Sequence, residues 1–416
     1  MATQTKSIGQ RAPRAVSVPL VLVALIWFGF NIRSVLLEVP PILPLIQHDL
    51  ALSYTAVGFL NALPPLIMGL GAFPAVAVIR RFGGRTTIAL GLAIMCGAAI
   101  MRAYAPGTLP LFALTMLLSV GIALSQTTAP VIVREWFPHH IGQVTAAYST
   151  GLMVGEISGA AFTTPFLLRT TSGGHWRGTF VAWGLLAVSS LVLWLVAMPR
   201  GERAAAREAA ILAEADRTPQ AIDLAEPVPT LRTWRGWHIS LLLGAGSLLF
   251  FAMDTWIPIY YHHLGRGDAA LALTTLTVAQ LPSALALTAF GQHIAGKPIG
   301  FIIAGAVATA ALIAWLVAPP SWYLPLTVLI GAASAAIFVL GLSLPPLLGR
   351  GHSVAQISGM MLTISYVCAF IGPFAGGALW DLTGIAILAF VPVLIASATV
   401  LVLGIFLPPM GQTQHV

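Results

Sequence analysis

Long apolar runs separated by short polar breaks dominate the chain from residue 18 to residue 407. A helix needs about 20 apolar residues to cross the hydrocarbon core of a bilayer. By that ruler the pattern predicts spans at 18–46, 54–79, 86–104, 108–133, 141–168 and 177–198. A second set follows at 237–262, 269–293, 297–317, 322–348, 353–379 and 384–407. Several runs exceed the minimum, which predicts tilt or local breaks; Pro40 and Pro41 mark one such place in the first run. The expected fold class is an all-α membrane protein, with twelve transmembrane helices in two pseudo-symmetric six-helix bundles. The expected divisions are a tail over 1–17, a first bundle over 18–198, a linker over 199–236, a second bundle over 237–407 and a tail over 408–416. The linker is the longest polar stretch, and its Ala-rich charged segment Glu202–Glu208 favours helix before Pro219, Pro227 and Pro229 interrupt it.

An internal repeat supports the division. The fifth run contains Gly155-Glu156-x-x-Gly159-Ala160 and the eleventh contains Gly372-Pro373-x-x-Gly376-Gly377, each in the fifth position of its half. The loops before them also match loosely, with Pro130 then Arg134 against Pro346 then Arg350. Small residues four apart let helix backbones approach closely, and parallel halves related by an axis along the membrane normal follow from the recurrence.

Composition agrees with this picture. Hydrophobic residues make up 58% of the 416 and charged residues 8%, against about a quarter charged in a soluble domain. The net charge of +7 is distributed by topology, so it does not point to nucleic acid. Fifteen of the twenty Lys and Arg fall on one side, among them Lys6, Arg14, Arg134, Arg207 and Lys297. Arg102, Arg169, Arg177 and Arg266 fall in loops on the other, and Arg33 lies inside the first run. The positive-inside rule then makes both termini cytoplasmic, in a multi-pass protein of the inner (plasma) membrane. The first run is too long for a signal-peptide core and is read as a retained span. Cys96 and Cys368 lie in opposite halves, with no disulfide framework and no metal-ligand spacing. Trp136, Trp176, Trp237 and Trp322 fall near run ends and read as interface anchors.

The candidate chemistry lies in charges within apolar runs. A buried ionisable group costs about 2.5–3.5 kcal/mol even on insertion scales, and persists when it pairs, lines water or works. Four stand out: Arg33, Glu38, Glu156 and Asp254. Glu38 is rotated by roughly 140° from Arg33 on an ideal helix, so the two share a face only if the helix deforms. The planar guanidinium of Arg33 suits a carboxylate or another small anion; the alternative is an internal pair with Glu38, Glu156 or Asp254. A carboxyl in a low-dielectric setting is costly to ionise, and such groups can load and release a proton. Glu38, Glu156 and Asp254 are therefore candidates for proton coupling or gating. Glu38, nearer the end of its run, also fits a solvated vestibule. Asn31, Gln126 and Gln280 offer amide groups, and Tyr148, Trp256 and Tyr366 offer rings with a polar handle; with Arg33 they form the candidate substrate-binding set.

At these residues the chain resembles the major facilitator superfamily. Arg80-Arg81-Phe82-Gly83-Gly84-Arg85 is similar to that superfamily's basic cytoplasmic loop motif, with Arg80 and Val76 in place of its usual Asp and Gly. The usual gating charge pair is therefore not carried over. The Gly155–Ala160 segment resembles the glycine-rich antiporter motif, with Glu156 in place of its proline. Asn31-Ile32-Arg33 with Pro41-Ile42-Leu43, Gly121–Leu124 leading to Pro130, Phe137-Pro138, Trp256-Ile257-Pro258 and Ser358-Gly359-Met360 resemble the cyanate and 2-nitroimidazole porter branch (CynX/NimT type). Gln126 stands where that branch has Asn. The resemblance implies secondary transport of a small anion or small neutral, azole-like solute by alternating access. Multidrug efflux by antiport is the alternative within transport; a non-transporting membrane receptor or sensor is the alternative from another class.

No phosphate-cradling loop with Lys-Ser/Thr occurs, which argues against ATP-driven transport, and no nucleophile motif or metal cluster points to an enzyme. Expected partners are the solute, a proton and the lipid bilayer, with no nucleic acid and no cofactor, in a chain that acts as a monomer.

Overall fold

The computed structural model describes residues 18–137, 140–170, 174–197, 229–290, 294, 296–348 and 352–408. The expected tail 1–17, most of the expected linker 199–236 and the tail from 409 lie outside the described residues. Among the described residues, twelve helices are long and apolar enough to cross a membrane. The first six are Pro19–Asp49, Tyr54–Ala72, Gly84–Arg102, Thr108–Arg134, Ile141–Thr170 and Trp176–Ala197; the second six are Trp234–His263, Ala269–Leu287, Pro298–Val317, Pro320–Leu348, Gln356–Thr383 and Ala386–Ile405. They are spans 1 to 12 below, and each coincides with one expected run. Span 7 begins at Trp234, earlier than the expected 237, because the Thr233 hydroxyl caps it by accepting the Gly236 N–H at 3.2 Å. No strand occurs among the described residues. Apolar side chains such as Val23, Leu185, Val196, Val317 and Ile395 face outward, as a surface solvated by lipid requires.

The long spans are interrupted where proline removes a backbone donor. Span 1 is regular to Leu37, turns through a tight helical turn at Pro40–Ile42, and resumes as Leu43–Asp49. Span 8 divides between Val278 and Gln280, since Pro282 has no N–H to return to the Val278 carbonyl. The break lands on one of the candidate polar residues. Span 2 continues as helix to Phe82, and Gly83, at φ +77°, turns the chain directly into span 3. That backbone conformation is open essentially to glycine alone.

The repeated glycines allow close helix packing in both halves, against different kinds of neighbour. A Cβ on Gly151 would stand 2.2 Å from the Ile26 carbonyl oxygen, and one on Gly155 2.1 Å from that of Phe30, so span 5 lies backbone to backbone on span 1. In span 11, Gly372 packs against the Leu248 and Ala252 side chains of span 7, and Gly376 against the Trp256 ring of span 7 and the Ala389 carbonyl of span 12.

The halves meet chiefly along span 2 and span 11. On span 2, Tyr54, Gly58, Asn61 and Gly69 recur at helical spacing and form one stripe. Gly377 lies over the Tyr54 carbonyl, Pro373 over Gly58, and Tyr366 over Gly69. These contacts run from the membrane face opposite the linker to about mid-membrane, so the molecule is closed at that opposite face.

Candidate functional site

Near the middle of the membrane, four hydrogen bonds among the described residues cross between the halves. Gln280 Nε2 of span 8 donates to Glu156 Oε1 of span 5 at 3.2 Å. Asn61 Nδ2 of span 2 donates to Thr255 Oγ1 at 2.6 Å and Asp254 Oδ2 at 3.4 Å, both on span 7. Gln126 Nε2 of span 4 donates to the Tyr366 hydroxyl of span 11 at 3.4 Å. Arg33 interacts electrostatically with Glu156 and Tyr148, and Glu156 with Asp254. Five of the expected site residues from four N-half and C-half spans, Arg33, Tyr148, Glu156, Asp254 and Gln280, are thereby joined in one network, with Gln126 and Tyr366 reached through Tyr148.

This network is under-satisfied. Arg33 Nε, Gln126 Oε1, the Tyr148 hydroxyl and Asp254 Oδ1 are buried and have no hydrogen-bond partner among the described residues. Such groups are rare in native interiors and each calls for a reason. No described carboxylate lies within ion-pair distance of Arg33. A guanidinium that interacts with Tyr148 and the Glu156 carboxyl only through space leaves its donors available to a solute.

Other expected site residues lie elsewhere. Glu38 is fully buried and paired with Arg102, whose guanidinium sits 4.3 Å over the Phe180 ring of span 6. The solvated-vestibule expectation for Glu38 is therefore corrected, and so is the placement of Arg102 in an exterior loop: Arg102 is 1% exposed. Proximity to a helix end suggests a loop, but the side chain turns inward to the Glu38 carboxylate, which neutralises it there. Asn31 is fully buried, roughly 200° around span 1 from Arg33, and donates to the Trp27 carbonyl at 2.8 Å. Trp256 is also fully buried and packs on Gly58, Gly376 and Trp380 in the closed seam. Trp176, expected as an interface anchor, is buried and donates to Asp49 at 3.1 Å. In the loop motif, Arg80 and Arg81 end the span 2 helix, Gly83 makes the turn, and Arg85 in the first turn of span 3 reaches the Leu195 carbonyl at 3.4 Å.

Three participants were not expected. Asn61 and Thr255 carried a signal, being polar residues within apolar runs. Asp381, at the end of span 11, accepts the backbone N–H groups of Tyr54 and Thr55 at 2.9 and 2.7 Å and the Thr55 hydroxyl at 2.6 Å. It caps span 2 from the other half, with its charge at the positive end of the helix dipole. Tyr54 and Trp380 stack beside it, with ring centroids 3.9 Å apart.

Comparison with known proteins places this geometry. The family described as Major Facilitator Superfamily matches residues 20–373. The chain is 25% identical over 95% of its length to an uncharacterized transporter, YycB, of Bacillus subtilis, covering 94% of that protein. It is 26% identical to the 2-nitroimidazole transporter of Escherichia coli, over 88% of this chain and 89% of that one. It is 25% identical to the cyanate transport protein CynX of the same organism, over 87% and 90%. Among solved structures, a D-xylose-proton symporter superposes with a TM-score of 0.71 at 13% identity, covering 94% of this chain and 97% of that one.

Proposed function

The chain belongs to the major facilitator superfamily, a transporter and not an enzyme, and we propose that it is a secondary active carrier for a small solute, coupled to protons and working by alternating access. The observation that carries the reading is the mid-membrane network: each of its four cross-half hydrogen bonds joins one residue of each bundle, so rocking of the halves must remake the site. The solute is a small anion or a small neutral, azole-like compound. Arg33 recognises it, with Tyr148, Gln126, Tyr366 and Gln280 around it. The names of the cyanate and 2-nitroimidazole relatives support this class. Glu156 and Asp254 load and release the proton; Glu38, engaged with Arg102, serves gating. The closed face is the exterior one, the linker face is cytoplasmic by the distribution of Lys and Arg, and the membrane is the inner (plasma) membrane. The carrier works as a monomer.

The glycine motif of span 5, which resembled that of antiporters, is accounted for by its contact with span 1 and gives no separate support to multidrug efflux. Proteoliposomes loaded with cyanate or 2-nitroimidazole, with and without an imposed pH gradient, test the proposal. Gradient-dependent movement should be lost in Arg33→Ala and uncoupled from the gradient in Glu156→Gln and Asp254→Asn. Movement that ignores the gradient and survives both acid substitutions refutes proton coupling.

A further inference from the structure

The two mid-membrane acids are held in a reciprocal way. Glu156 of the first half accepts from Gln280 on the second span of the second half. Asp254 of the second half accepts from Asn61 on the second span of the first half. Asn61 and Gln280 thus occupy corresponding spans, and each clasps a carboxylate of the opposite bundle. The clasps differ in setting. Gln280 and Glu156 are part-buried, beside Arg33. Asn61 and Asp254 are 7% and 1% exposed, within the seam closed by Gly58 on Pro373 and by Asp381 on the end of span 2.

We propose that Asn61 is a positioning residue that makes closure of the exterior face depend on the charge of Asp254, while Glu156 and Gln280 answer to the solute. The inference rests on the carrier reading for its meaning and adds to it a division of labour between the two acids. Three facts carry it. Asn61 is the described donor that reaches Asp254 across the seam. The same amide is held by Thr255 of span 7, whose hydroxyl donates onward to the Phe251 carbonyl at 2.7 Å, so Asn61 is aimed at Asp254 while the seam is closed, and parting of the halves separates it from both partners. The second oxygen of Asp254, Oδ1, is buried without a partner, so the carboxylate has a vacant position for a proton while the other oxygen stays on Asn61. An amide donor on an ionised carboxylate makes a stronger bond than on a neutral carboxyl group. Protonation of Asp254 therefore loosens the seam, and opening of the seam removes the bond that favours the ionised form.

The charged surroundings of Asp254 are sparse. Glu156 of span 5 interacts with it electrostatically. Of the elements packed on span 7, Ala269–Val278, Tyr323–Leu342 and Ala386–Ile405 carry no Asp, Glu, Lys, Arg or His. Span 2 faces it with Asn61, and the charged groups of the neighbouring Leu43–Asp49 helix (His48, Asp49) and of span 11 (Asp381) lie toward the closed face.

The test reads the gate directly and needs no solute. In a background of Cys96→Ala and Cys368→Ala, spin labels at the exposed positions Leu109 and Leu382 report the distance between the halves at the exterior face. Measurements are made on the full chain in nanodiscs from pH 8 to pH 5. The wild type should gain open population on acidification by about tenfold, the difference between a charge-assisted and a neutral hydrogen bond. Asn61→Leu and Asp254→Asn should each be more open at pH 8 and flat with pH, and Asn61→Gln, which keeps a donor, should restore part of the response. Glu156→Gln should keep the response, and Asp381→Asn should open the seam at every pH without abolishing it. A wild-type distribution that is flat with pH, or an Asn61→Leu protein that responds as the wild type does, overturns the proposal. If Asn61→Leu does not fold, Asp254→Asn decides the same question. The solute assay stays separate: uptake of cyanate or 2-nitroimidazole that ignores the gradient, in a protein whose gate follows pH through Asn61, sinks proton coupling and leaves the clasp standing.

Discussion

The buried pair between Glu38 and Arg102 should be worth several kcal/mol to the first bundle, and a double-substitution cycle can measure it. Both side chains are essentially inaccessible, at 0% and 1% exposure. Arg102 is further held by the Phe180 ring at 4.3 Å and by the Val35 carbonyl at 3.5 Å. Glu38 Oε2 and Arg102 Nε have no second partner, so the pair has little reserve once one member goes. Removing one partner of such a pair costs about 3–5 kcal/mol, because the other charge is left buried and uncompensated. Glu38→Leu should therefore shift the unfolding equilibrium by between about a hundredfold and a few thousandfold. Glu38→Leu with Arg102→Met leaves no buried charge and should recover at least half of the loss, giving a strongly non-additive cycle. Equilibrium unfolding in mixed micelles, followed by circular dichroism, supplies the three differences. If Glu38→Leu costs less than about 1 kcal/mol, or the double variant loses the sum of the single ones, the two buried charges are not coupled as their contact implies. Glu38 would then be free for proton loading beside Glu156 and Asp254.

Two further outcomes follow from the packing and from the loop charges. Gly58→Ala and Gly155→Ala add the same methyl group in different seams, with Cβ positions 2.3 Å from the Pro373 oxygen and 2.1 Å from the Phe30 oxygen. The first should open the exterior face in the spin-label assay with little change in unfolding midpoint. The second, inside one bundle, should destabilise that bundle by about 1–3 kcal/mol, the usual cost of overpacking. Asp268, in the loop between spans 7 and 8, bonds to Arg266 Nε at 2.9 Å, and this guanidinium holds its carboxyl below the ordinary value of 3.8. A depressed carboxyl stabilises the fold above its unfolded value and loses that contribution only as pH falls through the folded one. The pair is thus silent between pH 8 and pH 5, and Asp268→Asn should leave the pH response of the gate unchanged; a flattened response would assign the titration to the wrong loop.

What the sequence disclosed and what it hid divide along a physical line. Each span was legible because the bilayer imposes a one-dimensional rule: enough apolar residues in a row. The glycines of spans 5 and 11 were legible because close approach of backbones needs small residues at helical spacing, whichever helix is the partner. The intramembrane charges were legible because each is costly where it stands. Pairing is a relation between distant positions, and spacing along the chain does not encode it. Arg102 and Glu38 are 64 residues apart, and Asn61 and Asp254 are 193 apart. Arg102 was misplaced for a specific reason: a cation within a turn of a span end ordinarily snorkels to the interface, and only the carboxylate of a different span draws it inward. Asn61 carries a weaker signal because an uncharged amide costs far less to bury than a carboxylate, so cost along the chain marks the acids more strongly than the donors that hold them. By cost alone the three acids form one coupling set. Their costs are alike, but one is neutralised within its bundle by Arg102, one is held across the interface beside Arg33, and one is held in the closing seam. Their roles separate only when the partners are known, and for the last two the partner comes from the opposite half, which is what a site remade by rocking requires.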